Sequence, residues 1–224
     1  NESVCLKCTK QLVKLANATK KDIHILHITT AEEIELLNKN KKFISYEVTP
    51  QHLILSSPSC YNKLGTLAQM NPAIRSSKHQ NRLRKALKNN EIDIIGSDHA
   101  PHTLTEKKQK YPDSPSGMPG VQTLMPLLLN EVSKKTISIN NVVELTSFNP
   151  IKRFKVKDKG LIKEGYDADF TFVDLSMTKK ISNKLIQSKC GWTPFHGMKV
   201  TGWPVGTMIN GNKVFWNEKI IGKP

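Results

Sequence analysis

The stretch Ile92 to His102, reading IDIIGSDHAPH, constrains this chain more than any other. Ile92, Ile94 and Ile95, interrupted by Asp93, form a short apolar run ahead of Gly96, the pattern of a buried parallel strand. Asp98, His99 and His102 follow at that strand's carboxyl end, where barrels and open α/β sheets hold their active sites. Asp98 is both a hard anionic ligand and a proton acceptor. His102 reaches the same pocket if the chain turns at Pro101, so the string reads as a metal-assisted hydrolase site. A turn-capping Asp would account for Asp98 alone and leave two histidines and a proline unexplained.

A second strand end lies upstream. Ile23, Ile25, Leu26 and Ile28 make Asp22 to Ile28 a buried strand that carries His27, and a neutral imidazole is a common zinc ligand. His24, three residues earlier, falls on the opposite face and reads as packing or solvated. Thr29 or Thr30 caps a helix running to about Asn38, with Glu32 and Glu33 in its first turn. Val4 to Ala16 and Ser76 to Lys88 have helical periodicity, and Phe43 to Val48 is a strand. Residues 51–65 read as an excursion, Leu67 to Asn71 as extended, and Thr103 to Pro119 as a long polar loop of the kind that usually carries function. Val121 to Val132 and Ile139 to Phe148 read as helices. Ala168 to Leu175 and Thr207 to Trp216 read as β structure, the latter a hairpin turning at Asn210-Gly211. The composition shift after Phe154 suggests a boundary near residue 157, with Trp192, Trp203 and Trp216 anchoring the smaller C-terminal part.

Composition removes several classes. Of 34 cationic residues only Arg75, Arg82, Arg84 and Arg153 are arginines, and the lysines are scattered. The net charge of +15 therefore reads as compositional rather than as a nucleic-acid surface. No run approaches the roughly 20 apolar residues of a membrane helix, so no membrane partner is expected. The start is mixed and polar and does not read as a leader. Cys5-x-x-Cys8 lacks the second pair that a structural zinc site needs and reads as two buried thiols on one helix face; with no disulfide framework among the four cysteines, Cys60 and Cys190 included, a reducing, cytoplasmic compartment is expected.

Seven segments, in order, carry a resemblance: HILHITTAEEIELL, EVTPQHLILS, GTLAQMNPAIR, IGSDHAPHT, SPSGMPGVQTLMPLLL, GYDADFTFVDL and GWTPFHGMKVTGWPVGTMINGNKVF. Together they resemble the dihydroorotases of the cyclic amidohydrolase superfamily. The resemblance implies an α/β fold: the C-terminal half of a (β/α)8 barrel over residues 1–157, strands six to eight, and part of a small β-subdomain over 158–224. Such barrels typically need about 250 residues, and these enzymes run to roughly twice the present length. The His-x-His pair of the first strand, the bridging carboxylated Lys or Asp, and the fifth-strand His have no counterpart here.

The resemblance also implies roles. His27 and Asp98 become metal ligands for one or two zinc ions, the remaining ligands lying in the absent N-terminal half. Asp98 is also the general acid–base, and Asn71, His102, Ser116 and Gly117 contact substrate. His52 and His99 are assigned no metal. The implied reaction is reversible ring closure of N-carbamoyl-L-aspartate to L-dihydroorotate in pyrimidine biosynthesis, with no activity from this chain alone. A complementary N-terminal half or a homodimer is the implied partner. The alternatives are an allantoinase or hydantoinase, or a non-catalytic dihydroorotase-like remnant or scaffold beside a partner such as aspartate carbamoyltransferase.

Overall fold

The computed structural model describes residues 2–222. The chain divides into two compact units, Asn1–Gln122 with Ser182–His196, and Thr123–Ile181 with Gly197–Pro224.

The first unit alternates helix and strand: α1 (Glu2–Thr19), β1 (Ile23–Ile25), α2 (Ala31–Asn38), β2 (Ile44–Val48), α3 (Pro50–Ile54), α4 (Ser59–Leu64), a 3-10 turn (Gly65–Ala68), α5 (Ser77–Lys88), β3 (Ile94–Ile95) and α6 (Leu104–Lys107). The strands form a parallel sheet in the order β1-β2-β3, with Ile23 opposite Ile44 and Val48 opposite Ile95. Parallel neighbours need crossover connections, which α2 and the α3–α5 segment supply. Ile25, Ile44, Tyr46, Val48, Ile94 and Ile95 are buried, together with Ile34 and Leu37 of α2 and Leu83 and Leu87 of α5. The Tyr46 hydroxyl lies 2.9 Å from Asn38 Oδ1 and 2.8 Å from the Glu91 carbonyl, and burial pushes its pKa up. A second cluster joins Cys60, Ala68, Met70, Ile74, Met118, Cys190 and Trp192.

The helix α7 (Val121–Ser133) leads into the second unit, followed by α8 (Ile139–Val143), a π-helical turn (Glu144–Phe148) and α9 (Asn149–Phe154). Then come β4 (Phe170–Lys180), β5 (Lys199–Ile209), β6 (Asn212–Trp216) and β7 (Lys219–Ile220), an antiparallel sheet in sequence order. The hairpin turns at Asn210-Gly211 as expected, both residues with the positive φ that a type I′ turn requires. Gly202 lets β5 close on α7, since a Cβ there would sit 2.5 Å from Leu129 Cβ.

Several sequence expectations need correction. The excursion over residues 51–65 is largely helical: Thr49 caps α3 with Pro50 at its first turn, and α4 follows. Leu67 lies in a 3-10 turn, not an extended segment. The helix expected over Ile139 to Phe148 changes pitch at Glu144 and continues to Phe154. The stretch from Thr103, expected as an open loop, contains α6, closed by a Thr103–Glu106 capping box. Trp192 belongs to the first unit, buried against Met70 and Cys60, while Trp203 and Trp216 lie in the second. Residues 182–196 group with the first unit. Of the Cys5-x-x-Cys8 pair expected to be buried, Cys8 is exposed and Cys5 only half-buried.

Candidate active site

All six residues singled out by sequence lie in the first unit. His27 follows β1 and Asp98 follows β3, at the carboxyl ends of the two strands that flank β2. Both have positive φ, 42° and 40°. This conformation is uncommon for residues with a Cβ and costs about 1 kcal/mol or more, so it persists where the surroundings impose it. For His27 the imposition is visible on either side. The Ile28 N–H donates to the Glu47 carbonyl at 2.9 Å. The Thr29 and Thr30 N–H groups donate to Glu33 Oε2, and the Thr9 hydroxyl donates to Glu33 Oε1 at 2.7 Å. Glu33 is thus a buried carboxylate with every contact a donor, anchoring the turn that presents His27.

Burial raises the Asp98 carboxyl above its ordinary value; His27 opposes that shift and Glu47 reinforces it. These three side chains therefore share one electrostatic neighbourhood. Glu47 was not singled out from sequence, although a carboxylate on the strand before EVTP's turn was the available signal. Its side chain is 13% exposed and accepts from His24 Nε2 at 3.2 Å, while His24 Nδ1 meets Ser45 Oγ at 2.8 Å. His24 is thus a bonded member of the sheet interior rather than a solvated residue. Gly96 leaves the room: a Cβ there would fall 2.2 Å from Glu47 Oε1.

The other four residues group around loops. Asn71 and Ser116 both line a cavity of about 750 Å³, together with Tyr61, Thr66, Gln69 and Tyr111. Neither His27 nor Asp98 is among its described lining residues. His102 and Gly117 join the Ser116 side: His102 Nε2 donates to the Ser116 carbonyl at 3.1 Å, and the Ala100 N–H donates to the Met118 carbonyl at 3.0 Å. Gly117 has φ +140°, and a Cβ would lie 2.5 Å from the Ala100 carbonyl oxygen.

Buried polar side chains hold this frame. His52 Nε2 lies 2.9 Å from the Pro72 carbonyl, which can only accept, so Nε2 carries the proton and Nδ1 accepts from the Thr49 hydroxyl at 2.8 Å. Burial lowers the His52 pKa to about 4, keeping the ring neutral and the Asn71-Pro72 segment pinned. His99 Nδ1 accepts from the Gly120 N–H at 3.0 Å. Gln51 Nε2 donates to the Ser97 carbonyl at 2.9 Å, one residue before Asp98. No group of three or more His, Cys, Asp or Glu side chains poised for a metal occurs among the described residues. His27 and Asp98 offer one nitrogen and one carboxylate donor, a partial set suited to zinc.

Residues 5–214 match the model of the amidohydrolase family. The chain belongs to that family. The dihydroorotase of Pyrococcus furiosus is 38% identical over 220 residues, 98% of this chain and 51% of that protein. The dihydroorotase of Methanosphaera stadtmanae is 37% identical over 92% of the chain and 48% of its own length. The solved L-hydantoinase (dihydropyrimidinase) of Arthrobacter aurescens superposes with a TM-score of 0.93 at 27% identity, over 97% of this chain and 50% of that one. The amidohydrolase chain thus spans about half the length of the relatives it matches. No helix among its described residues is long and apolar enough to cross a membrane.

Proposed function

We propose that this amidohydrolase chain is the C-terminal half of a dihydroorotase, interconverting N-carbamoyl-L-aspartate and L-dihydroorotate. The observation that carries the reading is the pairing of a half-buried Asp98 with His27 at the exits of β3 and β1. In this reading β1, β2 and β3 are strands six to eight of a (β/α)8 barrel. His27 and Asp98 hold zinc, which when bound polarises the amide carbonyl and the attacking water. The likeness to dihydroorotases at 37–38% identity favours this substrate.

Asp98 then does proton work. The carboxylate oxygen takes the proton of the attacking water as the C–O bond forms. It returns that proton to the ring nitrogen as the C–N bond breaks, and ring closure runs the same path backwards. Asn71 gives and accepts hydrogen bonds along the pyrimidine edge, the Ser116-Gly117 backbone approaches the ring, and the His102 imidazole meets the substrate carboxylate.

The first barrel half supplies the other zinc ligands, so the chain alone is expected to bind zinc weakly and show no turnover. The test is hydrolysis of L-dihydroorotate, with zinc content, for the chain with and without a co-expressed N-terminal half. Activity appearing only with both halves, and falling by more than about a thousandfold in Asp98→Ala, is the expected result. The hydantoinase likeness supports a second reading, so hydantoin and dihydrouracil are run alongside. Preference for either transfers the assignment to that substrate, and neither activity nor zinc in the assembled protein refutes the enzyme reading in favour of a remnant or scaffold.

A further inference from the structure

Lys107 is fully buried at the end of α6. Its ammonium donates to two backbone carbonyls, Gln69 at 2.9 Å and Pro115 at 2.7 Å. Its own carbonyl accepts from the hydroxyls of Thr66 and Ser114. Both ends of the residue are therefore tied to the same two segments. Gln69 reinforces the tie: its side-chain amide donates to the Ser114 carbonyl at 2.7 Å, and its carbonyl accepts the Gly117 N–H at 3.0 Å. Two residues beyond Gln69 stands Asn71, and directly after Pro115 stands Ser116, both on the wall of the 750 Å³ cavity.

We propose that Lys107 is a positioning residue, its buried ammonium fastening the Asn71 segment to the Ser116-Gly117 loop and so fixing the gap that receives the substrate ring. For its substrate this role rests on the cyclic-amide reading above; the clamp itself rests on geometry alone. An ammonium is an expensive way to fill apolar space, because desolvating it is costly and carbonyl partners offset that only in part. Burial accordingly lowers the Lys107 pKa to about 8. A methionine of similar length would fill the volume more cheaply. What it could not do is hold two carbonyls on opposite segments at a fixed distance, which three divergent N–H donors on one atom accomplish.

The test compares Lys107→Met and Lys107→Arg with the unsubstituted chain. In the chain itself, hydrogen exchange at the Gly117 amide is expected to accelerate at least about tenfold in Lys107→Met, while α1 and α2 amides keep their original rates. In the enzyme assembled with its complementary half, KM for L-dihydroorotate is expected to rise about tenfold with kcat nearly unchanged, the loss of one charge-assisted contact's worth of positioning. Lys107→Arg, which keeps the charge and the donors, is expected to recover most of that KM. A purely structural role would lower the active fraction and hence kcat, leaving KM alone. Unchanged Gly117 exchange and unchanged KM in Lys107→Met would overturn the proposal. So would a Gly117 amide that exchanges freely in the unsubstituted chain, a measurement that stands even if the methionine variant does not fold. Absence of turnover on any cyclic amide by the unsubstituted assembly counts against the function, while Gly117 exchange still decides the clamp.

Discussion

At the scale of single residues, close approach and buried charge decide the outcome. Gly117 combines a φ of +140° with a backbone oxygen 2.5 Å from where a Cβ would sit. Gly117→Ala is therefore expected to cost about 2–3 kcal/mol, read from the urea midpoint, because neither the Ala100 carbonyl nor the loop can yield cheaply. Lys107 makes a pH prediction. Folded, it loses its proton at about 8; unfolded, near its ordinary 10.5. Between those values the unfolded chain binds more protons, so stability is expected to rise with pH across the window. Lys107→Met should flatten that rise, and a slope of the same size in the variant would assign it to another group. Asp98, His27 and the loop residues were visible in sequence through motif order and strand-end position. The burial of Glu47, Glu33 and Lys107 was not, because a charged residue in a sequence carries no mark of being buried. Only the fold reveals that Thr9, Thr29 and Thr30 converge on Glu33, or that two carbonyls converge on Lys107.

At the scale of elements, caps were more legible than lengths. Thr30 before Glu33 forms a full capping box, each side chain meeting the other's backbone. Thr30→Ala is expected to destabilise the chain by about 1 kcal/mol, and more than an exposed cap would, since Thr30 and Glu33 are both buried. A denaturation midpoint equal to the parent's would show that Glu33 holds the His27 turn unaided. The amphipathic Ser77–Lys88 helix and the Asn210-Gly211 hairpin followed their patterns. The strands came out short because backbone hydrogen bonding, not apolarity, ends them: His27 turns away at positive φ although Ile28 beyond it is buried. The short α3, α4 and α6 leave no periodic signature in sequence, because four to six residues hold too few turns for periodicity to register.

At the scale of the whole molecule, sequence order and spatial grouping part company. Trp192 is 1% exposed, packs with Met70, Cys60 and Met118, and donates from Nε1 to the His102 carbonyl at 2.7 Å. Trp192→Ala is expected to cost about 3–5 kcal/mol and to raise hydrogen exchange around residues 100–102. Confinement of that effect to residues 182–196 would show the contact to be peripheral. The first unit is thus discontinuous: a segment made after the second unit has begun completes its apolar cluster. Growing from the ribosome at about 5–20 residues per second, the nascent chain must hold Met70 and Met118 uncovered for several seconds until Trp192 emerges. During that interval the 182–196 segment sets the demand for chaperone protection, and synthesis arrested just before it would leave a chain with its loops made and their lid missing.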